Sequence, residues 1–257
     1  MWTAAWALTL TLGLSSPAIR PAAGGDAPRA AATPATAWPD SRPLTHLFQN
    51  LVTDLAHVPS RASLVTAVVG GAGAGAVHPI DRDLADWAGR AGAASYTRAG
   101  NLAGQGATQA GAALATYVIG KIAHAPPAVH IGGDLIRAQV LNAVLTDGLK
   151  VIVGRTRPNG GRWSFPSGHT SASVATAAVL GENLGWRGAV PAGALAGFIG
   201  WTRLRDRAHY ASDVVFGAAI GLIAGRTVAA GHRRRTWTVT PARTRGGFAI
   251  FVVRRVD

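Results

Sequence analysis

The sequence predicts an all-α protein: a bundle of six to seven helices followed by a small C-terminal β-hairpin. Apolar residues recur at three- and four-residue spacing through most of the chain, the period of a helix face. Of 257 residues, 48% are hydrophobic and only 14% charged, which excludes a disordered chain and a coiled coil. Only 7% are aromatic while Ala and Gly abound, so the core must be built from small side chains at close helix contacts. The 33 glycines follow no three-residue period, which excludes a collagen-like chain. The absence of cysteine removes disulfides, thiolate nucleophiles and Cys-ligated metals.

Trp2 to Leu14 is an uncharged, mostly apolar stretch followed by Ser15, Ser16 and Pro17. Residues 1–24 read as a signal peptide or, if uncleaved, an anchor, although no Lys or Arg precedes the apolar stretch. Residues 25–43 form a Pro/Ala-rich linker, 44–231 the helical domain, and 232–257 a basic run and hairpin. An exported protein, periplasmic or membrane-associated in the cell envelope, is the expectation.

Leu44, Leu47, Phe48, Leu51, Val52 and Leu55 mark a first amphipathic helix that ends near Pro59. A second helix is expected from Ser63 to Val77. Its Gly70 to Gly75 run reads as a close helix contact, because a phosphate loop would need a preceding strand and a following Gly-Lys-Ser/Thr. Further helices are expected over 100–121, 132–153, 168–184, 189–202 and 212–230, with Pro126, Pro127, Pro158, Pro166 and Gly185 as breaks. After Arg233, Arg234 and Arg235, two β-prone runs, Trp237 to Thr240 and Phe248 to Val253, predict the hairpin. The second run is apolar on both faces and needs a surface to cover it. Most apolar segments are shorter than the roughly 20 residues of a membrane span, so a bundle that is soluble or partly in the membrane fits better than six spans.

The net charge of +13 is carried almost wholly by arginine, since Lys121 and Lys150 are the only lysines. Arginine's planar fork suits phosphate and carboxylate, so the expected partner is anionic. Three segments concentrate the chemistry. Lys150 and Arg157 are seven apart, two helical turns, and would share one side of a helix ended by Pro158; two solvated surface charges are the plain alternative. Ser167 follows Pro166 and precedes Gly168, His169 and a Thr/Ser/Ala-rich helix, the pattern of an N-cap whose free amides face an anion, or of an ordinary capped helix. Arg203 stands six residues before His209, and His209 four before Asp213. One helical turn lets Asp213 accept from one imidazole nitrogen and leave the other aimed, as a histidine nucleophile requires, though the same spacing also occurs as a structural hydrogen bond.

Taken together, Lys150, six residues, Arg157-Pro158, then Pro166-Ser167-Gly168-His169, then Arg203, five residues, His209, three residues, Asp213 resembles the three-part signature of the phosphatidic acid phosphatase type 2 (PAP2) and haloperoxidase superfamily. Thr202 stands where that family usually has Ser, and keeps the hydroxyl. The resemblance implies an all-α bundle and a phosphatase acting on phosphomonoesters, lipid phosphates or diphosphates, with contact to a membrane and no nucleic-acid partner. It implies that Lys150, Arg157, Ser167, Gly168 and Arg203 bind phosphate, that His209 attacks phosphorus, that Asp213 orients it, and that His169 protonates the leaving oxygen. It implies neither metal nor other cofactor. A vanadium-dependent haloperoxidase is the alternative inside the family, disfavoured by the short loop from Pro158 to Pro166; a non-catalytic envelope protein that docks on anionic lipid is the alternative outside it. Arg155, Arg162, Arg205 and Arg207 read either as selectors of a polyanionic substrate or as a solvated basic rim. His46, His57, His78, His124, His130 and His232 show no metal-ligand spacing.

Overall fold

The computed structural model describes residues 47–90, 95–230, 235–244 and 247–256. The expected signal peptide and linker lie outside these residues. The chain divides into two units, a helical one within 38–233 and a second that holds the C-terminal strands. In the second, β1 (Arg235–Thr244) and β2 (Gly247–Val256) pair antiparallel, with Arg235 opposite Val256 and Thr244 opposite Gly247.

Among the described residues the helical unit contains nine α-helices: α1 (Leu47–His57), α2 (Arg61–Val77), α3 (Asp81–Gly89), α4 (Ser95–Gly104), α5 (Gly106–Ile122), α6 (Pro126–Val153), α7 (Gly168–Leu184), α8 (Trp186–Arg205) and α9 (Ala211–Ala230). A single 3-10 turn, His78–Ile80, joins α2 to α3. The expected six to seven helices fall short for two reasons. Helix α3 is short and strongly charged, with no long apolar period; Asp81 and Asp83 in its first turn favour the positive end of the helix dipole. The helix expected over 100–121 is broken at Gln105, which is extended between Gly104 and Gly106. There the chain skirts a wall: a Cβ on Gly104 would lie 2.5 Å from Ile199 Cγ2 and 3.1 Å from His169 Cβ.

Helix α6 opens with Pro126 and Pro127, where missing amides cost nothing, and closes at left-handed Gly154 (φ 61°), whose amide bonds the Lys150 carbonyl. Helix α7 lies at the centre, packed on α6, α8 and α9, while α5 lines α6 and α2 lines α9. The core joins Ile131, Leu135, Ala138 and Leu141 of α6 with Ala175 and Val179 of α7 and Ala224 and Val228 of α9, and Leu51 and Leu55 of α1 cover it. A buried ion cluster fastens α1 to α6: Arg137 donates to Asp54 at 2.8 Å and to Asp134 at 2.7 Å.

Glycine sets the helix spacing. Gly217, Gly221 and Gly225 form one stripe on α9, and a Cβ at any of them would strike the α7 backbone at Ser167, Ser171 or Ala175. Backbones in such contact hold α9 and α7 in a fixed axial register, which places Asp213, one turn before Gly217, beside the start of α7. Gly70 of the α2 glycine run packs on Ala219 of α9 in the same way, as expected for a helix contact.

Candidate active site

The three sequence segments converge on the N-terminal end of α7. Lys150 stands in the last turn of α6, and its ammonium reaches over the start of α7, where a Cβ on Gly168 would lie 3.0 Å from Lys150 Nζ. Arg157 arrives differently from the expectation. The helix stops at Val153, four residues short, and Arg157 is carried in by the loop, pinned by its amide to the Gly161 carbonyl at 2.8 Å. Its side chain makes no hydrogen bond or ion pair with the described residues, and its Nε is buried without a partner.

Arg203, on the last turn of α8, is only 6% exposed. One guanidinium nitrogen donates to Asp206 at 2.8 Å, Asn101 of α4 donates to the same carboxylate oxygen at 2.6 Å, and Arg203 Nε is buried and unpartnered. Buried donors without acceptors are costly, and two of them at one helix end suit an anion that supplies the missing oxygens. Ser167 begins α7, but its hydroxyl does not cap the helix; it exchanges a 3.0 Å bond with Thr170, while its amide donates to the Asp213 carbonyl at 3.0 Å. Gly168 supplies the close approach beneath Lys150.

His209 is 2% exposed in the loop between α8 and α9, its amide tied to the Arg203 carbonyl at 3.3 Å. Its Nδ1 lies 2.5 Å from the Ser164 carbonyl, an acceptor only, so Nδ1 carries the proton and Nε2 keeps the lone pair. The direct bond expected from Asp213 is not formed: Asp213 Oδ2 stands 3.7 Å from Nδ1 and accepts instead from Ser164 Oγ at 2.5 Å and from the Tyr210 amide at 2.8 Å. Asp213 and Ser164 thus hold the imidazole as a pair, one by charge and one by hydrogen bond.

The electrostatics separate the two histidines from their ordinary state. Burial lowers His169 to about 4, helped by Arg203, His209, Lys150 and Arg157, so all of these groups share one small region. Burial also lowers His209, although Asp213 and the Ser164 carbonyl pull it partly back. Burial raises Asp213, but the nearby His209 imidazole, hydrogen bonds from Ser164 and Tyr210 and the charge of Arg155 outweigh it and keep the carboxylate ionised. Neutral His209 with a free Nε2 is a competent nucleophile, and the cations around it suit a phosphate.

Sequence reasoning missed Ser164, Asn101 and Asp81, which lie outside every motif, and Asp206, which lies inside the third motif three residues after Arg203. Of the arginines read either as selectors of a polyanionic substrate or as a solvated basic rim, Arg155 pairs inward with Asp81 and Asp213, Arg205 is buried and bonds the Tyr96 hydroxyl, and exposed Arg207 pairs with Asp86 at 2.8 Å. Arg162 stacks over Trp163. Thr202 is fully buried and donates to the Ile199 carbonyl at 2.8 Å; its extra methyl is received by Gly100, where a Cβ would lie 2.6 Å away. Among the described residues no group of three or more His, Asp or Glu gathers to hold a metal ion.

Fold and site together describe an all-α protein that gathers Lys150, Arg157, Arg203, His169 and His209 at the start of one helix. Residues 159–237 match the PAP2 superfamily model, which takes in the second and third motifs and leaves Lys150 and Arg157 just upstream. Over those residues the chain is similar to the PAP2 superfamily. A stretch of 101 residues is 35% identical to the lipid A 1-phosphatase of Porphyromonas gingivalis, covering 36% of this chain and 23% of that relative, so the match spans under a quarter of the relative's length. A solved transmembrane PAP2 type phosphatidylglycerolphosphate phosphatase from Bacillus subtilis aligns over 73% of this chain and 94% of its own, with a TM-score of 0.44 and 16% identity.

Proposed function

We propose that this protein is a metal-independent phosphatase that hydrolyses lipid phosphates at a membrane surface through a phosphohistidine on His209. The observation that carries the reading is the state of His209: Nδ1 is committed to Ser164, Nε2 is free, and Lys150, Arg157 and Arg203 stand close by with two guanidinium Nε donors unspent. The phosphate oxygens lie against the three cations and Gly168. His209 Nε2 forms a bond to phosphorus as the ester P–O bond breaks, and His169 gives its proton to the departing alcohol oxygen. His169 then takes a proton from water, whose oxygen attacks phosphorus, and the P–N bond breaks to release inorganic phosphate. Burial and the surrounding cations hold His169 neutral at pH 7 in the free enzyme, and the bound phosphate's negative charge offsets the cations, so His169 takes up with the substrate the proton that it later gives to the alcohol.

A lipid-borne phosphate is favoured by the surface beside the cradle. Val151, Ile152 and Val153 follow Lys150 directly, and all three are exposed, Ile152 by 80%. Exposed Leu64, Val65, Val68 and Val69 form a second apolar patch on α2. Runs of this kind are rare on a water-facing surface and suit contact with lipid. Among the described residues two stretches, Arg61–Gly89 and Ala211–Ala229, are long and apolar enough to cross a membrane; the first is mostly exposed and the second is mostly buried in the bundle core. The curated relative's name, a lipid A 1-phosphatase, agrees with a phosphorylated lipid as substrate. Export to the cell envelope is part of the same proposal.

The test is phosphate release from phosphatidic acid, an isoprenyl diphosphate and p-nitrophenyl phosphate, with EDTA present, by wild type and His209→Ala. Release that survives EDTA, prefers a lipid and vanishes in the variant supports the reading. Full turnover by His209→Ala sinks the phosphohistidine. Silence on all three, with bromide oxidation on adding vanadate, supports a haloperoxidase; salt-sensitive liposome binding without turnover supports a binding protein.

A further inference from the structure

Resting on that reading, we infer that Arg155, backed by Asp81, is a positioning residue that fixes both supports of the His209 imidazole. Arg155 lies two residues before Arg157, inside the cation motif, yet it points away from the anion. Left-handed Gly154 turns the chain at the end of α6, and the Arg155 guanidinium then enters a carboxylate clamp. One terminal nitrogen donates to Asp213 Oδ1 at 2.6 Å and to Ser212 Oγ at 2.8 Å. The other donates to Asp81 Oδ2 at 2.9 Å and lies 3.3 Å from His78 Nδ1. The guanidinium plane sits over the Tyr210 ring, 4.2 Å from its centroid. With both terminal nitrogens engaged, Arg155 has little left to offer a phosphate.

The clamp divides the labour of Asp213. Oδ1 is held by Arg155, which leaves Oδ2 turned toward Ser164, Tyr210 and His209. Arg155 also acts through its backbone: its carbonyl accepts the Ser164 amide at 2.7 Å, and Ser164 in turn presents the carbonyl that takes the His209 proton. One residue therefore sets the charge partner of the imidazole with its side chain and the hydrogen-bond partner with its main chain.

Asp81 supplies the far anchor. It is 2% exposed, and it comes from α3, outside every motif. Its Oδ1 accepts the Ser212 amide at 2.9 Å and its Oδ2 accepts Ser212 Oγ at 2.5 Å, so it holds the first turn of α9 as well as Arg155. A half-buried cation shared by two buried carboxylates has its geometry set from both sides, and removing one partner frees the others to move.

The experiment compares kcat and the inhibition constant of inorganic phosphate for wild type, Arg155→Gln, Arg155→Lys, Asp81→Asn, Arg157→Ala and His209→Ala. For Arg155→Gln, kcat should fall about ten- to a hundredfold, the worth of one charge-assisted bond, while the phosphate constant stays within about twofold. Arg155→Lys should recover part of kcat, because an ammonium reaches one of the two carboxylates. Asp81→Asn, which keeps the shape of the clamp, should show the same split more weakly, and it carries the test if Arg155→Gln does not fold. A raised phosphate constant in Arg155→Gln would make Arg155 a substrate ligand and overturn the inference, as would unchanged kcat in both variants. Arg157→Ala and His209→Ala test the underlying reading separately: if the first leaves phosphate inhibition intact or the second keeps turnover, that reading fails whatever Arg155 does.

Discussion

Gly217 of α9 lies against Ser167 of α7 so closely that a Cβ at 217 would sit 2.7 Å from the Ser167 carbonyl oxygen. The contact is the reverse face of the bond from the Ser167 amide to the Asp213 carbonyl, one turn back along α9. It joins two of the three motifs directly. Gly217→Ala should therefore destabilise the fold by about 1–3 kcal/mol through overpacking, although Gly→Ala inside a free helix is stabilising. Gly75→Ala, with nothing within 4 Å, is the control and should gain about 0.5–1 kcal/mol. Thermal unfolding of both variants reads the difference in sign, and equal gains would show that the α7–α9 contact is loose.

Losing one of the cations proposed to bind phosphate should act on binding and rate together. Arg157→Ala and Arg203→Ala should each lower kcat/KM about ten- to a hundredfold, the range for one charge-assisted contact. Asp206→Asn should cost less, because it keeps an oxygen for Arg203 to meet. Steady-state kinetics with one lipid substrate checks the order.

The His169 imidazole should titrate near about 4 in the free protein, against an ordinary value of about 6.5. Between those values the unfolded chain binds a proton that the folded chain refuses, so this group weakens the fold as pH falls from 6.5 toward 4. His169→Asn should flatten that part of the stability profile. Inorganic phosphate offsets the surrounding cations, so histidine NMR should show the His169 pKa rise on its addition; no rise would place the anion elsewhere.

Gly100 and Thr202 should be coupled. Gly100→Ala puts a methyl against Thr202 Cγ2 and should destabilise the protein, and Thr202→Ser, which deletes that methyl, should relieve part of the cost. A double-mutant cycle with a coupling above about 0.5 kcal/mol is the expected outcome.

Arg137→Met should be among the most damaging core changes. It leaves Asp54 and Asp134 buried without the guanidinium that both contact, at a cost of about 3–5 kcal/mol. Chemical denaturation would detect it, and an effect below about 1 kcal/mol would mean the cluster is hydrated.

Much of the helical plan was legible because helix periodicity and breakers are local: α7 ends at Leu184 as expected, and Gly70, Gly71 and Gly73 of the glycine run contact α9 as expected, while Gly75 meets nothing. Helix α3 was not legible, since its reason to exist is the distant Ser212 that Asp81 grips. The break at Gln105 was hidden for a similar reason, because Ile199 and His169 exclude a side chain at Gly104. Spacing alone suggested that Asp213 bonds His209 directly; the fold instead inserts the Ser164 carbonyl, 45 residues away in sequence.

By itself the sequence determined the helical class, the small-residue contacts and the identity of the groups at the candidate site, because residue type and short-range spacing carry that information. Only the tertiary structure decided which cations are held by carboxylates and which keep a donor unspent. Arg155 and Arg157 are two residues apart and chemically identical, yet one is clamped by Asp81 and Asp213 and the other keeps its Nε unspent. The physical reason is that a charge takes its role from the partners within a few ångströms, and here those partners come from α3 and α9, which local sequence does not bring together.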